Sequence, residues 1–95
     1  MLRHDSFHGG KVQRLAITIK GKDCAEFGIF KPGDYDFGIT KRPEKITIIF
    51  GTLHEDGIGQ VYHAGQTYTT TIGQPIQISV KEKDGLVIYF SRYLD

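Results

Sequence analysis

The chain has 95 residues, enough to build one compact core and too few to divide into two, and its twelve lysines and arginines stand against eleven aspartates and glutamates. A charge so close to balance gives no overall electrostatic footprint for DNA, RNA or an anionic membrane, so nucleic-acid polymers and membranes fall outside the expected partners. No apolar run approaches the roughly 20 residues of a membrane helix, the lone Cys24 cannot form an internal disulfide, and the opening Met1-Leu2-Arg3-His4-Asp5 lacks an apolar signal core, so a cytoplasmic location is expected.

The segment carrying His4 and His8 is polar, and the first strand pattern begins at Val12. Period-two alternation and short apolar runs predict strands over 12–19, 25–30, 35–40, 45–50, 51–54, 60–63, 67–71, 75–80 and 86–93. Turn chemistry separates them at Lys20-Gly21, Pro32-Gly33, Asp56-Gly57, Ala64-Gly65, Gly73-Gln74-Pro75 and Asp84-Gly85. No segment keeps a helical period. Many short strands with turns between them argue an all-β sandwich or small barrel formed as a single domain over residues 1–95. A domain this small buries a modest share of its surface, and a homodimer covering an apolar sheet face is the natural remedy.

One stretch narrows the architecture. Gly33, Glu44 and Gly51 keep most of the frame of the first cupin motif, in which two histidines and a glutamate lie between glycines, but Ile39 and Lys41 stand near the histidine positions. Downstream of Gly65, Thr71, Gly73 and Ile76 follow the spacing of the second motif, with Ile76 where the third histidine belongs. A transition metal needs several imidazole or carboxylate donors at about 2.0–2.2 Å. Glu44 alone does not supply them, so metal-free chemistry is expected. The remaining histidines offer a conceivable His54/Glu55/Asp56 group, yet three consecutive strand residues cannot all point one way, and a solvated hairpin is the expectation there.

From Gly10-Lys11-Val12 through Gly33-Asp34-Tyr35-Asp36-Phe37, Pro43-Glu44-Lys45-Ile46-Thr47, Val61-Tyr62-His63-Ala64-Gly65 and Tyr89-Phe90-Ser91-Arg92-Tyr93-Leu94, the chain resembles the small single-domain cupins of the pyrimidine/purine nucleoside phosphorylase family. It departs from them in having Thr71 at a usual proline and in the segment 52–60. The resemblance implies a jelly-roll barrel and a phosphate-dependent pentosyl transfer, cleaving diverse ribonucleosides to free base and ribose 1-phosphate, with no cofactor and phosphate as co-substrate.

Such a reaction needs a cation for phosphate, acceptors for the ribose hydroxyls and a donor for the departing base. Arg92 is the expected phosphate ligand, its guanidinium being suited to bidentate contact, although a surface Arg in an ion pair fits the residue type equally. Glu44 shares strand parity with Ile46, Ile48 and Phe50 and is expected inside, binding ribose or donating to the base; a structural carboxylate at the Arg42-Pro43 turn is the alternative. Tyr35 and Phe37 share a face and stack on a base or simply fill the core. Ser91 and Tyr93 occupy one face of the last strand, Phe90 and Arg92 the other, and only one face lines a cavity unless a bulge intervenes. The competing function is a non-catalytic cupin module that binds a small metabolite such as a sugar or nucleotide. A metal-dependent oxygenase or isomerase is disfavoured by Ile39 and Ile76.

Overall fold

A computed structural model describes all residues from Met1 to Asp95. Ten strands form two antiparallel sheets. The larger has the order β1 (Leu2–Phe7), β2 (Val12–Ile19), β3 (Lys22–Phe30), β10 (Val87–Tyr93), β5 (Glu44–Phe50) and β8 (Thr67–Thr69). The smaller has the order β4 (Gly33–Ile39), β9 (Pro75–Val80), β6 (Thr52–Glu55) and β7 (Gln60–His63). The only helical pieces are single 3-10 turns at His8–Gly10 and Glu82–Asp84, and no helix is long and apolar enough to cross a membrane.

The inner faces of the two sheets meet in one hydrophobic cluster that includes Val12, Phe30, Ile48, Leu53, Ile78 and Val87. Each fully buried aliphatic side chain there contributes roughly 1.5–3 kcal/mol relative to exposure. The chain passes from one sheet to the other at Gly51, whose φ of 88° falls in the left-handed region; a Cβ there would lie 2.3 Å from the Leu86 carbonyl oxygen. The glycine that closes the motif frame is thus the corner at which β5 becomes β6.

The expected strands are all present, with ends moved by a few residues, and one strand was not foreseen. β1 is an edge strand exposed along almost its whole length, so it has no apolar alternation to read. It is held by backbone pairing to β2 and by ion pairs: Arg3 with Asp5 and Asp23, and Asp5 with Arg14. Phe50 also departs from expectation. The β5–β10 register slips between Ile88 and Tyr89, where Ile48 faces Tyr89 but Phe50 faces Ile88, and this bulge carries Phe50 to the outside, 56% exposed, while Ile48 is fully buried.

Candidate functional site

A cavity of about 370 Å³ opens between the sheets. Alternation puts Val12, Arg14 and Ala16 of β2, Glu26, Gly28 and Phe30 of β3, and Tyr89, Ser91 and Tyr93 of β10 on the inner side. Most of these are apolar or small, so the charged residues among them need partners. They have them. Arg14 Nη1 donates to Glu26 Oε2 at 2.8 Å and its Nε donates to Asp5 Oδ2 at 2.9 Å, while the Tyr89 hydroxyl donates to Glu26 Oε1 at 3.4 Å. The Ser91 hydroxyl donates to Glu44 Oε1 at 2.7 Å. The Glu44 backbone N–H is satisfied separately by Thr70 Oγ1 at 2.9 Å, which fixes the start of β5.

Burial pushes the Glu44 carboxyl up to about 7, and the charge of the neighbouring Glu26 adds to the rise, while Ser91 and Arg14 act against it. A carboxyl raised in this way is able to give or take a proton near neutrality. Burial, followed by the charges of Glu26 and Glu44, raises the Tyr89 phenol well above its ordinary value and pushes that of Tyr93 up to about 12, so both stay neutral donors. At the rim the Arg42 guanidinium lies 3.8 Å over the Tyr93 ring, pairs with Asp95 at 2.8 Å and donates to the Asp23 carbonyl at 3.0 Å.

The family model for pyrimidine/purine nucleoside phosphorylase matches residues 2–92. The chain belongs to this family. A pyrimidine/purine nucleoside phosphorylase of Cronobacter sakazakii is 30% identical over 98 residues, spanning 99% of this chain and 100% of that one. Among solved structures, a protein of unknown function from Vibrio parahaemolyticus is similar with a TM-score of 0.80 at 26% identity, covering 99% of both chains. The cupin domain of Drosophila melanogaster CENP-C is similar with a TM-score of 0.70 at 16% identity, over 97% of this chain and 74% of that one, which is a likeness of fold alone. The all-β cupin fold read from the motif frame is therefore the fold of this phosphorylase-family chain.

Of the site residues expected from sequence, Glu44, Phe37 and Tyr93 line the cavity, and Ser91 lies buried against Glu44. Glu44 does not cap the Arg42-Pro43 turn; its carboxyl is turned to Ser91. Tyr35 is a core residue, packed on Phe30, with its hydroxyl donating to the Lys31 carbonyl. Arg92 is displaced from its expected role. It is exposed on the outer side of β10, because Ser91 and Tyr93 take the inner side and strand alternation sends their neighbour away. Ile39, Lys41 and Ile76, the positions where the cupin frame has histidines, do face the cavity in this family member, and no three His, Cys, Asp or Glu side chains in the chain converge on a common point.

Among the cavity residues that were not anticipated are Arg14, Glu26, Tyr89 and Glu55. Arg14 and Glu26 each interrupt the apolar inward parity of a readable strand, a signal that was available in the sequence. Glu55 lies in a segment expected to be a solvated hairpin. It shares the inner face of β6 with Leu53 instead and is 1% exposed, while His54 points to the other side, 3.9 Å from Asp84.

Proposed function

We propose that this single domain is a cytoplasmic, metal-independent pyrimidine/purine nucleoside phosphorylase that cleaves ribonucleosides with phosphate to free base and ribose 1-phosphate. The observation that carries the reading is the carboxyl of Glu44, held on the Ser91 hydroxyl beside Glu26 and poised near neutrality on the wall of the cavity between the sheets. In the reaction a phosphate oxygen bonds to the anomeric carbon as the bond to the base nitrogen breaks. The electron pair leaves with the base, and a proton from Glu44 neutralises it, the acid role for which a group near the working pH is best suited.

The phosphate needs a cation, and three line the cavity: Arg14, Lys41 and Arg42. Arg14 is committed to Asp5 and Glu26, and Arg42 to Asp95, whereas Lys41 pairs with no carboxylate. Lys41 therefore takes the role first given to Arg92. Phe37 and Tyr93 supply aromatic surface for a base, which suits a broad substrate range because every base has a π-face.

The working unit in this reading is a homodimer. Leu15, Phe27 and Phe90 form one cross-strand row on the outer face of the larger sheet, and Ile29, Ile88 and Phe50 the next. Leu15, Phe27 and Phe50 are each more than 40% exposed, a patch that a second copy would cover. Sedimentation of the protein and of Phe27→Asp tests this, with a dimer expected for the first and a monomer for the second.

The reaction itself is tested by incubating the protein with inosine, adenosine, uridine and cytidine, with and without phosphate, and separating the products. Phosphate-dependent release of base with ribose 1-phosphate is expected. Saturable nucleoside binding with no release would replace the enzyme by a metabolite-binding cupin module.

A further inference from the structure

The cavity carries a second polar patch that the chemistry at Glu44 leaves unused. Tyr62 of β7 pairs across from Leu53 of β6, and its ring stacks on that of Tyr68 from β8 with centroids 3.9 Å apart and planes 2° from parallel. The stack fixes the direction of the Tyr68 ring, and with it the position of its hydroxyl. Tyr68 lines the cavity and is only 7% exposed, and its hydroxyl is buried with no hydrogen-bond partner within the protein. Thr40, another lining residue, is 2% exposed and carries a second buried, unpartnered hydroxyl. Glu55 lines the cavity as well, with Oε1 accepting the Gln77 N–H at 3.1 Å. Burial raises its carboxyl while the Gln77 and Gly57 N–H groups act against the rise, and Tyr68 lies close enough to feel the charge of Glu55 and, more weakly, that of Glu44. Buried polar groups are nearly always satisfied, and an unpartnered phenol in a cavity that an acid also lines marks a place suited to a polar ligand group.

We propose that Glu55 and Tyr68 form the end of the cavity that reads the nucleobase, binding the exocyclic group and adjoining ring nitrogen by which carbonyl bases differ from amino bases. The proposal rests on the phosphorolysis reading, which is what brings a nucleoside into the cavity. A carbonyl base presents an acceptor beside an N–H donor, and an amino base presents the reverse. The Tyr68 phenol both donates and accepts, so it can turn its hydrogen bond to meet either edge. A residue with a fixed role could not. Pyrimidine and purine bases of both kinds are then accepted for a stated reason, one that differs from stacking.

The test is Glu55→Gln, which keeps the shape and the acceptor for Gln77 but leaves an amide NH2 that only donates. Relative to the wild type, kcat/KM for inosine over adenosine, and for uridine over cytidine, is expected to rise about tenfold, the effect of one ordinary hydrogen bond. The affinities of free hypoxanthine and adenine, measured by calorimetry, are expected to shift in the same sense, a readout that needs no turnover. Tyr68→Phe preserves the stacked ring and is expected to weaken all four nucleosides by a similar factor.

Ratios within twofold of the wild type in both measurements overturn the proposal, even where phosphorolysis itself stands. A wild type without turnover whose base affinities nevertheless shift in Glu55→Gln keeps the proposal and removes the phosphorylase. If Glu55→Gln fails to fold, Tyr68→Phe decides alone: unchanged kcat/KM and unchanged base affinity overturn the assignment.

Discussion

Glu44 and Glu55 are both carboxyls on the cavity wall, one on each sheet, and both are raised by burial. Their partners differ. Glu55 accepts a backbone N–H from Gln77, a donor that cannot move without breaking the pairing around β9, whereas Glu44 accepts from the rotatable hydroxyl of Ser91 and feels the charge of a second carboxyl. Burial sets the direction of a pKa, and the neighbours decide whether the group is free to exchange its proton. By that criterion Glu44 is the candidate for proton transfer and Glu55 the candidate for recognition.

The largest effect that would break this distinction is on turnover. Glu44→Gln is expected to lose about 100-fold or more in kcat, the usual contribution of a general acid, with the melting temperature retained. A variant that keeps wild-type kcat would remove Glu44 from the chemistry. Next comes Gly28→Ala. A Cβ on Gly28 would sit 2.2 Å from the Tyr89 ring, directly across the β3–β10 pairing. The ring must move, taking its hydroxyl from Glu26; overpacking of this kind costs about 1–3 kcal/mol, readable in denaturant unfolding together with a loss of activity.

A finer probe is pH. Glu44 binds its proton more tightly when folded than when unfolded, so between its ordinary value near 4.5 and about 7 the native state holds more protons. Its contribution to stability is complete at the acid end of that window and is lost as pH rises through it. The melting temperature is expected to fall from pH 5 to pH 8, and to fall less in Glu44→Gln. Activity should decline above about pH 7 for the same reason. Ser91→Ala removes a donor that favours the ionised carboxylate, so the alkaline limb of kcat/KM is expected to move to higher pH. The smallest effect is at Arg92. Arg92→Ala, on the outer face of β10, is expected to change stability by no more than about 0.5 kcal/mol and leave kcat/KM within twofold; a collapse of activity would reinstate it as the phosphate ligand.

The strand pattern from Val12 onward was legible because those strands bury one face and expose the other. β1 was not, since an edge strand held by Arg3, Asp5 and Arg14 carries no apolar stripe. The inward placement of Glu44 followed from motif frame and parity, while parity separated the Ser91/Tyr93 face of β10 from the Phe90/Arg92 face without telling which is the inner one. Arg92 lies on the other face of that strand, so guanidinium chemistry and strand parity point different ways for it. Glu55 escaped because its neighbours His54 and Asp56 made the segment look solvated, and only the pairing of β6 with β9 turns its side chain inward. Phe50 depended on a register slip between two strands distant in sequence, which no local pattern encodes.

The tyrosines give the molecule an optical property of its own. The chain has five and no tryptophan. All five are buried or half-buried: Tyr35 in the core, Tyr62 and Tyr68 stacked between the sheets, Tyr89 on Glu26, and Tyr93 beneath Arg42. Their emission is therefore not masked by energy transfer to indole, and most of it originates within or beside the cavity. Occupation of that cavity by any chromophore that absorbs in the near ultraviolet becomes visible as quenching of the protein's native fluorescence, without a label.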